Sequence, residues 1–153
     1  MPTVVHVGPI SSPGGIQTVI ETLSSNPPDG WTVETIESHS SGSYFSKLQA
    51  YNHAKNRLEE LGKQNNDGLI VHLHAASDYS FLRKLRLAEH VHRHGGKIVF
   101  HIHSGNIVSW LGKKDRAKKL KQRLENCKAT IVCLSDRWKE LITPFLGKCI
   151  VSP

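Results

Sequence analysis

The chain has 153 residues, the size of one ordinary domain, with 38% hydrophobic and 22% charged residues. That composition excludes a disordered chain, and it excludes a scaffold too small to hold a core without disulfides or metals. Net charge is +7 and uneven: residues 1–76 hold four Lys/Arg against seven Asp/Glu, residues 77–153 sixteen against six. A basic half of this size points to an anionic partner: a phosphate-bearing ligand, a membrane surface or nucleic acid.

No apolar run reaches the ~20 residues of a membrane helix. Met1-Pro2-Thr3-Val4-Val5 has no basic segment before its apolar stretch, so no signal peptide is expected. Cys127, Cys133 and Cys149 are odd in number and form no C-x-x-C pair, which reads as three reduced thiols in a cytosolic core.

In chain order, Thr3-Val4-Val5-His6-Val7-Gly8 predicts a buried strand, followed by the turn formers Pro9, Ser11, Ser12, Pro13, Gly14 and Gly15. Ile16, Val19, Ile20 and Leu23 are spaced three and four apart, which predicts a helix that stops at residues 24–30. Residues 31–37 alternate and are β-branched, so they predict a second strand. After a loop at 39–43, residues 45–62 predict a helix with Gly62 as its C-cap. Asp67-Gly68 opens a strand from Leu69 to His74. A helix over 78–94 is capped by Gly95-Gly96. A strand over Lys97–His103 meets the turn Ser104-Gly105-Asn106, and a basic helix is predicted over 113–126. A strand over 129–134, a helix over 136–145 and a short strand over 149–152 complete the pattern. Alternating short Val/Ile-rich strands and helices predict a Rossmann-like three-layer sandwich, with a mostly parallel central sheet and helices on both faces.

Four segments carry candidate chemistry. The Gly8–Ile16 loop lies between a strand and a helix, where glycines admit a ligand to the backbone and free N–H groups favour phosphate. It matches neither G-x-G-x-x-G nor a P-loop, and a plain tight turn explains it equally. His72-Leu73-His74 and His101-Ile102-His103 each put two imidazoles on one strand face, with His6 placed similarly. Ligands of open α/β sheets bind outside those strand ends. The five rings read as substrate binders, as hydrogen-bonded core groups, or as a zinc or iron site that would still need carboxylates such as Asp78 or Asp136. On residues 113–127, Ala117, Leu120, Leu124 and Cys127 form a narrow apolar stripe, and seven Lys/Arg cover the rest. That surface is a solvated face or a binder of anionic lipid, through Lys114, Lys118, Lys119 and Lys121, with Trp110 and Leu111 dipping into the interface. Nucleic acid is not expected, because no aromatic residues interleave the charges. Ser135 suits the N-cap of the last helix.

Together the segments resemble the family-four retaining glycosyltransferases of the GT-B architecture. Gly14-Gly15-Ile16 is similar to that family's Gly-Gly loop. Asp67-Gly68-Leu69-Ile70-Val71-His72-Leu73-His74 is similar to its "D-x-V-H-x-H" strand. Lys97–Gly105 resembles the strand that ends in His-Gly, with Ser104 inserted here. Ala129–Lys139 resembles its "l-S-x-x-w-k" segment. The closest likeness is to enzymes that build capsular or cell-surface polysaccharides.

The resemblance implies a metal-independent, cofactor-free hexosyltransferase half, and the basic helix places it at the cytoplasmic membrane face. It would move sugar from a nucleotide-sugar to a saccharide or lipid-linked acceptor, with retention, by front-face attack assisted by the leaving phosphate. Residues 1–153 correspond to the N-terminal, acceptor-side domain, and a C-terminal donor-binding domain would follow at the position of Ile150–Pro153. By position, Gly14 and Gly15 would meet the donor diphosphate. His103 would hydrogen-bond the transferred sugar near its reacting carbon. Ser104, Asn106 and Ser135 would line the acceptor side, with His74 and Asp78 as further crevice residues. The other reading is a stand-alone flavodoxin-like module that binds a small anion or a partner protein.

Overall fold

A computed structural model describes residues 1–65 and 68–152. Asp67, in the strand segment quoted above, and Pro153 lie outside them. The strands are β1 (Thr3–Gly8), β2 (Thr32–Glu37), β3 (Leu69–Ala75), β4 (Lys97–Ile102), β5 (Thr130–Cys133) and β6 (Cys149–Val151). The helices are α1 (Gly15–Ser25), α2 (Tyr44–Gln64), α3 (Asp78–Arg93), α4 (Ile107–Leu111), α5 (Arg116–Asn126) and α6 (Asp136–Leu146). The six strands form one parallel sheet in the order β2-β1-β3-β4-β5-β6. The chain is thus the α/β Rossmann-like sandwich that the alternation predicts.

Local chemistry sets several boundaries. The Ser43 side chain accepts from the Ser46 amide at the start of α2, and Ser135 from the Trp138 amide at the start of α6. Gly95, at φ 81°, ends α3 in the left-handed region that glycine adopts without penalty. Gly62 is not a C-cap: α2 runs on to Gln64, and Gly62 is buried inside it, packed on His94. The basic helix starts at Arg116 rather than 113, because Lys114 adopts φ 53° and breaks the helical run before Asp115. Five residues, four of them apolar, are too few to show a helical period, so α4 escapes a pattern reading.

Right-handed crossovers decide which face each helix covers. The step from β1 to β2 runs one way, and every later connection runs the other. Helix α1 therefore lies on one face, and the remaining long helices share the opposite one. That opposite face holds the core: Val5, Val71, Leu73, Phe100 and Cys133 of the sheet against Leu58, Phe81, Leu85, Leu124 and Ile142 of the helices. The rings of Phe81 and Phe100 meet with centroids 4.9 Å apart, and Phe81 and Trp110 with centroids 5.1 Å apart. Truncating either Phe to Ala would cost about 3–5 kcal/mol. The three cysteines are buried free thiols, as expected. On the α1 face, Ile20 is buried over β1, while Val4, Ile70, Val99 and Val132 are only half-buried and Ile150 is 49% exposed. Helices on both faces is correct, but one face is covered far less than the other.

Candidate functional site

The strand order reverses between β1 and β3, so the connections from these strands leave in opposite directions. In open α/β sheets the ligand crevice lies at such a point, outside the carboxyl ends of the strands. The loop from Gly8 to Gly14 leaves there, as does the turn into α3. Gly8 packs closely at the base: a β-carbon there would stand 2.5 Å from Ile20 Cδ1, the far end of a side chain that would have to shift, and 3.3 Å from His74 Cβ. Gly14 and Gly15 face open space, with nothing within 4 Å of where a β-carbon would stand. Gly14 is the N-cap of α1 and offers no side chain, so the first amides of the helix have no side-chain cap.

Register brings the five histidines together on the α1 face. His6 pairs with His72 across β1 and β3, and His74 with His101 across β3 and β4. His6 Nδ1 lies 3.2 Å from His74 Nε2, and His74 Nδ1 lies 3.0 Å from His103 Nε2. His72 Nε2 lies 3.1 Å from His101 Nδ1. His6, His74 and His101 are buried, and His72 and His103 are half-buried. Desolvation holds His6 and His101 down to about 4, and His72 and His103 down to about 3. The same cause, reinforced by the neighbouring rings, pushes His74 lower still. Near neutral pH the ladder is therefore five uncharged imidazoles, each able to donate at one nitrogen and accept at the other. The Nε2 of His101 is buried with no hydrogen-bond partner among the described residues.

Ring nitrogens of His6, His72 and His74 lie within 4.8 Å of one another, as do those of His74, His101 and His103. Either set has the ligand type for a zinc-class ion, but neither contains a carboxylate to offset the charge.

The other expected residues surround the crevice unevenly. His103 follows β4 and continues its ladder, its amide donating to the Ala75 carbonyl. Ser104 Oγ accepts from the Asn106 amide, and Asn106 is exposed at the start of α4. Ser135 follows β5 as the N-cap of α6, with its hydroxyl oxygen committed to the Trp138 amide. Asp78 opens α3 at φ 58°, a conformation rare outside glycine, and accepts from the Ser77 hydroxyl.

The basic surface is smaller than its sequence suggests. Lys114, Lys118 and Lys119 are exposed, while Lys121 is half-buried and 3.8 Å from Glu125. Arg123 makes a two-pronged pair with Glu89 of α3, and Arg116 donates to the Trp110 carbonyl while lying over its ring. Trp110 and Leu111 are buried in the core and do not reach a membrane interface.

Pattern reading missed Glu37. This carboxylate at the end of β2 accepts from the amides of Ile10, Ser11 and His39 and from the Ser11 hydroxyl. Burial raises its pKa, but these hydrogen bonds outweigh that and hold it below the usual carboxylate value. Its signal was present: an acid at the crevice end of a strand, opposite a serine-bearing loop.

No protein-family model matches this chain, and no curated protein is similar to it in sequence.

Proposed function

We propose that this chain is the acceptor-side domain of a retaining glycosyltransferase, working with a second domain that holds the nucleotide-sugar. It acts at the cytoplasmic face of a membrane on a saccharide or lipid-linked acceptor. The observation that carries the reading is His103, half-buried at the crevice and fixed through Nε2 by His74. Its remaining nitrogen, Nδ1, is left for a ligand. A neutral imidazole held this way orients a sugar hydroxyl. At a pKa of about 3 it is a poor base, which suits chemistry in which the leaving phosphate takes the acceptor proton. The open backbone at Gly14 and Gly15 suits approach by a diphosphate, whose developing charge the α1 amides would stabilise. Ser104 and Asn106 supply polar groups next to His103 for the acceptor. Transfer on this reading needs no metal, since the α1 amides would meet the diphosphate, and the ladder rings already bond one another.

Calorimetric titration with a panel of nucleotide-sugars tests the reading. Weak binding, unchanged by EDTA and abolished by Gly15→Trp, is expected. Tight binding by this chain alone would contradict the assignment of the donor to a second domain.

One observation favours a second reading. The order β2-β1-β3-β4-β5 is that of flavodoxin-like sheets, which bind an anionic ligand at the same switch point without a partner domain. Inorganic phosphate or a bare nucleotide binding as well as any nucleotide-sugar would select it.

A further inference from the structure

The carboxyl ends of α2 and α3 lie at the amino ends of the strands, the end of the sheet opposite the crevice, because both helices run antiparallel to the strands. Three side chains converge there. His90 of α3 and His94, the C-cap of that helix, are four residues apart, with ring centroids 4.5 Å apart. Glu59 reaches across from α2. One ring nitrogen of each histidine and a Glu59 oxygen lie within 4.8 Å of one another.

The polar groups are arranged as ligands rather than as a finished hydrogen-bond network. His90 is 5% exposed, and its Nε2 is buried without a hydrogen-bond partner among the described residues. It lies 3.7 Å from Glu59 Oε2, too far for a hydrogen bond. A buried ring nitrogen left in that state keeps the full cost of its lost hydration. His94 Nδ1 donates to the His90 carbonyl at 2.9 Å, which leaves Nε2 as the bare lone pair. A backbone carbonyl fixing the tautomer in this way is the usual outer support of a metal-bound histidine. Lys63 holds Glu59 Oε1 at 2.8 Å, so Oε2 is the oxygen that faces His90. Two ligands on one tetrahedral ion stand about 3.3 Å apart, so the 3.7 Å gap closes with a small side-chain shift.

We propose that Glu59, His90 and His94 bind a divalent transition-metal ion of the zinc class, with solvent completing the shell, and that the ion staples α2 to α3. Two imidazoles and one carboxylate select zinc, cobalt, nickel or copper over magnesium and calcium. Placement at the end of the sheet away from the crevice makes the role structural. The positive charges of Lys63, Lys55 and Arg93 stand near the triad and keep its affinity below that of a four-ligand structural site.

Titration of the metal-stripped chain with Co²⁺, read by visible absorption, and with Zn²⁺, read by thermal melting, tests this. One ion per chain is expected, with a rise in Tm. His94→Ala, at an exposed position, and Glu59→Gln should each weaken binding by roughly 100-fold or more and remove the Tm rise. His103→Ala should leave both signals intact. No ion bound by the wild-type chain, or binding that survives His94→Ala and is lost in His103→Ala, would overturn the proposal.

Discussion

His103 Nε2 stands 3.0 Å from His74 Nδ1, and His74 gives its other nitrogen to His6 Nδ1 at 3.2 Å. Each neutral ring carries one proton, so where the proton sits on one ring fixes it on the other two. His103 is therefore oriented from deep in the sheet.

The chain of three rings is expected to behave as a unit. His74→Phe leaves nitrogens of His6 and His103 unpaired, at about 1–3 kcal/mol each. A double-mutant cycle of His74→Phe with His6→Phe, followed by urea unfolding, should show coupling of about 0.5–3 kcal/mol. Simple additivity would mean the contacts carry no shared energy.

Acid should unfold the protein through the same rings. Unfolded histidines titrate near 6.5, while folded His6 and His101 sit at about 4 and His72 and His103 at about 3. Below 6.5 the unfolded chain binds more protons, so stability is full above that value and is lost as pH falls toward 4 and 3. Urea midpoints measured from pH 7.5 to 4 should fall steeply, and more shallowly in a His72→Gln variant.

Lys84 gives a trend in a different window. It is 1% exposed among core side chains, and burial, aided by Arg83, lowers it to about 7. An unfolded lysine titrates near 10.5, so between about 7 and 10.5 the unfolded chain holds more protons and stability climbs with pH. Lys84→Met should raise stability at pH 7 by about 1 kcal/mol or more, and flatten that climb. A destabilised Lys84→Met protein would show that the ammonium has a partner worth more than its desolvation.

Glu37 should control the crevice loop. Glu37→Gln weakens acceptance from the Ile10, Ser11 and His39 amides, which donate to a full charge in the native protein. Hydrogen exchange at Ile10 and Ser11 should quicken about tenfold or more, while the core amides of β3 stay protected. Equal protection in both proteins would assign the loop's order to something else.

The exposed lysines on and just before α5 are expected to hold the chain on anionic lipid at about 1 kcal/mol per charge near the surface. Lys114→Glu, Lys118→Glu and Lys119→Glu together should abolish pelleting with anionic vesicles at low salt. Unchanged pelleting would leave these lysines as a solvated face. Among the described residues no helix is long and apolar enough to cross a membrane.

Much of the fold was legible because periodicity is set by local geometry. Residues 3–8 and 69–74 announce strands by their β-branched apolar runs, and Ser43 and Ser135 start helices by chemistry that needs no tertiary context. The histidine pairs were legible as a shared face, since strand residues two apart point the same way. Their bonding was not, because it depends on register between strands far apart in sequence. Glu37, Trp110 and Lys84 escaped for the same reason: each is defined by what distant segments bring to it. The triad of Glu59, His90 and His94 needs two helices to meet, which no spacing in the chain reveals.

The most direct test of the sugar-transfer reading is the imidazole nitrogen resonance of His103, followed by ¹⁵N NMR at neutral pH while a panel of nucleotide-sugars is added. The account predicts a saturating shift at His103 with at least one nucleotide-sugar, relayed to His74, and none with the matching bare nucleotide. A His103 signal that no nucleotide-sugar moves, or that bare nucleotide or phosphate moves equally, would contradict it.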